Sequence, residues 1–148
     1  MRPLLVLLLL AALAACAPSS HLVRTTDGEL TFRPCERAPR CAVSLRDPGP
    51  GGDAVAPLVA GTDGPTAHAR LVSVLQATPG YEILTDDGRY VHAEFTTRLM
   101  RYEDDVEFLI RDDGTVDVRS AARIGWYDWE TNRKRIDALR AALAERAR

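Results

Sequence analysis

Few side chains in this 148-residue sequence have the type and spacing to do chemistry. Histidine stands at 21, 68 and 92, and cysteine at 16, 35 and 41. A catalytic triad needs a nucleophile, a base and an orienting acid in register, and neither Ser73 nor Ser120 sits in a G-x-S-x-G elbow. The sequence contains no H-E-x-x-H, no P-loop and no G-x-G-x-x-G. Cys35 and Cys41 lack the second cysteine pair or spaced histidine of a zinc site and the C-x-x-C spacing of a redox pair. No catalytic residue, metal or cofactor is therefore assigned, and the reading leans away from an enzyme. What remains is a run of alternating arginines and carboxylates from Glu94 to Arg133. Guanidinium groups hold phosphate or carboxylate in bidentate fashion, so their placement decides whether they form a site.

Four strands position them. Tyr81 to Thr85, Arg89 to Tyr102, Val106 to Arg111 and Thr115 to Arg123 are separated by Asp86-Asp87-Gly88, Tyr102-Glu103-Asp104-Asp105 and Asp112-Asp113-Gly114. Three-residue loops at both Asp-Asp-Gly sites, with glycine left-handed, suit such hairpins. At 112–114 that loop pairs Ile110 with Val116, Phe108 with Val118 and Glu107 with Arg119, and keeps apolar opposite apolar. The same logic pairs Ile83 with Val91, Glu82 with His92, Leu99 with Phe108 and Met100 with Glu107. One face then collects Ile83, Val91, Ala93, Phe95, Leu99, Val106, Phe108, Ile110, Val116 and Val118. The other collects His92, Glu94, Thr96, Arg98, Met100, Glu107, Asp117, Arg119 and Arg123, as in a sheet with one wet side. On it His92 faces solvent beside Glu82 and Glu94. A helix capped by Thr66, with Ala67, Leu71, Val74 and Leu75 at helical spacing, ends at Pro79-Gly80. A second, starting at Asp128 or Thr131, carries Ile136, Leu139, Ala142 and Leu143 on one stripe. The expected fold is α+β: an antiparallel four-stranded meander packed on one face by an N-terminal and a C-terminal helix.

The N-terminus sets the compartment. Leu4 to Ala15 is an unbroken run of Leu, Val and Ala. At twelve residues it is too short to span a bilayer, which takes about 20, and it matches a signal-peptide core. Leu13-Ala14-Ala15-Cys16 resembles the lipobox of bacterial lipoproteins, which implies cleavage before Cys16 and a thioether-linked diacylglycerol on it. Several acyl chains anchor firmly where one does not. Ala17, rather than Asp, in the next position implies outer-membrane sorting, facing the periplasm. Export permits a disulfide between Cys35 and Cys41, with stabilisation of roughly 2 kcal/mol from closing that small loop. The expected organisation is a signal peptide at 1–15, a lipidated tether at 16–33 and one domain at 34–148, with a Gly/Pro-rich loop at 47–65. The net charge of -2 offers no field that calls for nucleic acid.

Tyr90-Val91-His92-Ala93-Glu94-Phe95, Arg98-Leu99-Met100-Arg101-Tyr102-Glu103-Asp104-Asp105-Val106-Glu107-Phe108, Val118-Arg119-Ser120-Ala121-Ala122-Arg123-Ile124-Gly125 and Asn132-Arg133-Lys134-Arg135-Ile136 resemble the family called domain of unknown function 1499. Cys35 to Ser44 resembles its early cysteine stretch, with Glu36 and Arg40 departing from the usual Pro and Asn. The resemblance covers about 110 residues, from the cysteine loop to the last helix, and implies an envelope or exported protein without an established activity. Its charged motif positions fall here on Glu94, Arg98, Asp105, Glu107, Arg119, Arg123 and Arg133, the candidate ligand-binding residues.

Two readings follow. In the first, a lipid-anchored, non-enzymatic envelope module holds an anionic small molecule, lipid headgroup or partner protein on its Arg/Glu sheet face. In the second, an envelope scaffold docks a partner through the aromatic segment Trp126-Tyr127-Asp128-Trp129, since Trp and Tyr favour interfaces.

Overall fold

The computed structural model describes residues 20–36, 41–125 and 130–147. Chain order is β1 (Leu22–Arg24), β2 (Leu30–Phe32), β3 (Cys41–Val43), β4 (Gly52–Ala54), β5 (Leu58–Val59), α1 (Gly64–Ala77), β6 (Tyr81–Asp86), β7 (Tyr90–Thr96), β8 (Glu103–Ile110), β9 (Thr115–Ala122) and α2 (Thr131–Glu145). The α+β class and the mostly antiparallel sheet are as expected, but the sheet is larger than a four-stranded meander. Among the described residues it has seven strands, in the order β4-β3-β9-β8-β7-β6, with β5 also on β9. β3 runs antiparallel to β9 (Ala42 opposite Ser120) and parallel to β4. Residues 47–65, expected as loop, thus supply β4, β5 and the start of α1.

The β8–β9 register is the expected one: Glu107 faces Arg119, Phe108 faces Val118 and Ile110 faces Val116. Gly114, at φ +82°, makes the turn, and a Cβ there would lie 2.3 Å from the Gly61 carbonyl oxygen. The first Asp-Asp-Gly turn differs. Asp86 faces Val91 and the Asp87 amide donates to the Tyr90 carbonyl, which leaves a two-residue Gly88-Arg89 loop in place of three. Asp87 tightens it by accepting hydrogen bonds from the Arg89 and Tyr90 amides at 2.9 and 2.6 Å. A bulge between Ile83 and Thr85 then offsets the lost residue, and Ile83 faces Ala93 rather than Val91.

The middle turn is the largest departure. β7 ends at Thr96, and residues 97–102 form a compact turn in which the Thr97 amide donates to the Tyr102 carbonyl and the Tyr102 amide to Thr97 Oγ1, both at 2.8 Å. Glu103, Asp104 and Asp105, expected as a turn, begin β8 instead, because arginines meet their charge: Arg123 on one face and Arg135 on the other. His92 consequently faces Glu107, and Val91 faces Phe108. This slips the pairing by eight residues from the expected register, an even number, so every strand residue keeps its face. Leu99, Met100 and Arg98 do not, since they leave the sheet for the turn.

Both helices lie on the apolar face. α1 is capped by Asp63, three residues before the expected Thr66, with Asp63 Oδ1 accepting from the Thr66 amide at 2.8 Å. Ala67, Leu71, Val74 and Leu75 of α1 and Ile136, Leu139 and Leu143 of α2 close over Val91, Val106, Phe108, Val116 and Val118. The opposite face is also covered. β1 and β2, within the stretch expected as a tether, form a hairpin with Leu22 opposite Phe32. Phe32 and the Cys35–Cys41 disulfide pack with Val43, Tyr90 and Leu109 in a second small core. The domain therefore has three layers: hairpin, sheet and helices.

These burials separate two substitutions that a one-sided meander treats alike. Phe108 is fully buried and Leu99 is 89 % exposed. Phe108→Ala is expected to destabilise by about 3–5 kcal/mol and Leu99→Ala by less than about 0.5 kcal/mol, measured by urea unfolding.

Candidate functional site

The polar sheet face resolves into two clusters. The inner one centres on Glu107, which is fully buried. Its carboxylate accepts from the His21 amide at 2.8 Å and the Tyr90 hydroxyl at 2.6 Å, lies 2.7 Å from His21 Nδ1, and accepts from Arg119 Nη1 at 3.2 Å. Burial alone would raise the Glu107 pKa, but the bonds from His21 and Tyr90 outweigh it and hold the carboxyl below its ordinary 4.5. Tyr90 moves up, through burial and its bond to that carboxylate, and stays protonated.

The outer cluster centres on Arg123, at the end of β9. Its guanidinium grips Asp105 with two bonds, at 2.9 and 2.7 Å, and also donates to Glu94 at 2.7 Å and Glu103 at 2.8 Å. Asp105 lies 2.8 Å from His92 Nε2. Burial would raise Asp105, and the bonds from His92 and Arg123 prevail, so its carboxyl is pulled well below the usual range. An ionised carboxylate only accepts, which puts the ring proton on Nε2. His92, expected in solvent beside Glu82 and Glu94, is buried instead, and its Nδ1 has no hydrogen-bond partner among the described residues.

Of the candidate residues, the structure thus unites Glu94, Asp105 and Arg123 in one cluster and Glu107 and Arg119 in the other. Arg98 lies exposed in the 97–102 turn, outside both. Arg133 sits on α2, donating to the Ala54 carbonyl at 3.0 Å, 3.7 Å from Asp53. Asp117 serves Arg111 and Ser44 rather than Arg98 or Arg123. Cys16 and the aromatic segment 126–129 lie outside the described residues. The sequence reading passed over His21, Tyr90 and Glu103. The one signal for His21 was a lone histidine directly before the Leu22-Val23 pair.

A third constellation lies on the helix side. Arg135 is buried, with Nη2 on Asp104 at 2.5 Å and Nη1 donating to Ser120 Oγ and Asn132 Oδ1 at 2.8 and 2.6 Å. Its guanidinium stacks 4.5 Å above the Phe95 ring, and Tyr81 meets Phe95 edge-on at 4.8 Å. Arg135 Nε has no hydrogen-bond partner among the described residues. These rings line a cleft of about 430 Å³ between α2 and the α1–β6 junction, together with Ala138, Leu139 and Lys134. Its described lining carries hydroxyls and two cations but no carboxylate.

A small three-layer α+β domain with internally paired arginines and an apolar cleft beside α2 is thereby defined. Residues 31–143 match the family described as Protein of unknown function (DUF1499), and the chain belongs to that family. It matches no curated protein and no solved structure.

The two clusters together make a pH prediction. Because Glu107 and Asp105 are both held below their ordinary values, their contribution is present in full above the unfolded carboxylate range and is lost as pH falls through the lower folded values. Stability is expected to decline below about pH 4.5. Glu107→Gln should lower stability at pH 7 by about 1–3 kcal/mol and flatten the acid limb, with Asp105 keeping the remainder. Thermal unfolding between pH 3 and 7 measures both; an unchanged acid limb in the variant would count against the assignment.

Proposed function

We propose that this is an exported, lipid-anchored binding module whose ligand is an anionic amphiphile held in the cleft between α2 and the sheet. The observation that carries this reading is the composition of the cleft: aromatic and aliphatic walls from Tyr81, Phe95, Ala138 and Leu139, with Arg135 and Lys134 as its charged groups. A volume near 430 Å³ suits a small ligand. An apolar chain would lie against the rings, and an anionic head would meet the Lys134 ammonium. The sheet-face arginines are weaker candidates. Arg119 and Arg123 already hold the chain's own carboxylates, and an external anion would have to displace them from pre-formed bonds. Binding is favoured over catalysis because the described lining offers hydroxyls and cations but no carboxylate or imidazole base.

The test uses a dansylated fatty acid as probe. Saturable one-site binding is expected, weakening as salt is raised. Ala138→Trp, at an exposed helix position lining the cleft, should reduce affinity at least about tenfold by filling it, and Lys134→Glu should reduce it several-fold. Absence of saturable binding, or an Ala138→Trp variant that binds like the parent, would sink the reading. The anchor is tested separately. Mass spectrometry of the mature N-terminal peptide should find Cys16 as its first residue, carrying diacylglycerol with palmitate-class chains; an unmodified Cys16 would overturn that part alone.

A further inference from the structure

The 97–102 turn places Leu99 and Met100 at the tip of the sheet, 89 % and 60 % exposed. Tyr102 closes the turn and is partly exposed. β9 ends at Ala122, opposite Asp104 at the start of β8, and Ile124, two residues past that same end of the sheet, is 67 % exposed. Arg98 and Arg101 are interleaved with these apolar residues, and the turn itself, Thr-Arg-Leu-Met-Arg-Tyr, contains no acid. The carboxylates behind it, Glu94, Glu103 and Asp105, all bond Arg123, with Glu103 still exposed. An apolar tip ringed by arginine matches a bilayer interface, where aliphatic and Tyr side chains enter the acyl boundary and guanidinium groups meet lipid phosphates.

The length of chain before His21 bears on the same end. His21 is fixed at the level of Glu107 by its amide and its ring. From there β1 runs toward Arg89 and Arg111, where the hairpin tip at Gly28 lies, at the end of the sheet away from the 97–102 turn. Cys16 precedes His21 by five residues, a reach of at most about 17 Å. The distance along β8 from Glu107 to Tyr102 is also five residues, about 17 Å. Five residues are thus long enough for Cys16 to reach the level of the tip.

We infer that the 97–102 turn with Ile124 is a second membrane contact, which seats the domain tip-down on the surface of an anionic phospholipid bilayer. The inference rests on the proposed lipid anchor at Cys16 and not on the cleft. It gives the domain a fixed orientation, with the far end of the sheet, at Val59 and Gly114, pointing away from the lipid.

The lipidated full-length protein, reconstituted in phosphatidylethanolamine–phosphatidylglycerol vesicles, tests this. An environment-sensitive nitrobenzoxadiazole label is placed at Leu99→Cys or, as control, at Val59→Cys, which is 70 % exposed at the opposite end. The label at 99 should shift to the blue and be quenched by nitroxide-labelled acyl chains, and the label at 59 should do neither. Arg98→Ala with Arg101→Ala should reduce the docked-to-undocked ratio roughly 25-fold, about fivefold for each arginine. Vesicle-bound protein with no quenching at 99, or equal quenching at both sites, overturns the inference while leaving the anchor standing. A blue shift at 99 without vesicles, growing with protein concentration, assigns the tip to a second copy and also overturns it. Protein that fails to sediment with vesicles overturns the anchor, and the docking with it.

Discussion

A carboxylate with no access to water is tolerated only when several donors meet it. Glu107 is such a group, and its donors come from three separated parts of the chain: His21 from the N-terminal segment, Tyr90 from β7 and Arg119 from β9. A buried ion pair is weak evidence for stability, since the cost of desolvation can cancel the attraction. What this arrangement fixes is position. His21 bonds through both its main chain and its ring, so the β1–β2 hairpin has one seat on the sheet, and Phe32 then meets Tyr90, Leu109 and the disulfide in the second core. Without the hairpin, Glu107 and Arg119 would be the solvated pair that their strand positions suggest.

The same demand for compensation shapes the end of the sheet. Three successive acids, Glu103, Asp104 and Asp105, would ordinarily end a strand. They continue one here because alternation sends Asp104 to Arg135 beneath the helices and its two neighbours to Arg123 on the other face. Each arginine is paired with the chain's own carboxylates. These residues knit the fold at both faces, and their types alone do not distinguish that from ligand binding, since a guanidinium suited to an external anion is equally suited to an internal one.

That ambiguity marks how far the sequence could be read. The helices, the β8–β9 register and the division of the strands into two faces were legible, because hydrophobic period and parity carry them. The β7–β8 register was missed by eight residues, yet the residues that remain in β7 and β8 keep their faces, since only an odd slip exchanges faces. What could not be read was the layer above the polar face. β1 and β2 are three residues each, too short to show a period, and the contact that seats them spans 86 positions in sequence. A strand pattern shows that one side is polar, but not whether water or another part of the chain lies against it. Likewise β4 pairs in parallel with β3 from within a stretch rich in Gly and Pro, where composition argues for loop.

Covering both faces has a consequence for where anything else can bind. The sheet edges are poor templates: β4 is three residues with an acid at its centre, and β6 carries Glu82, Asp86 and a bulge, the devices by which edge strands resist pairing. With faces covered and edges blunted, the exposed apolar surface concentrates at the cleft beside α2 and at the arginine-ringed tip. The two adjoin the same strand. β7 contributes Phe95 to the cleft wall and, within two residues, runs into the 97–102 turn. A tip resting on lipid would therefore hold the cleft close above the bilayer surface. An amphiphile leaving that surface would have only a short path to the rings of Phe95 and Tyr81.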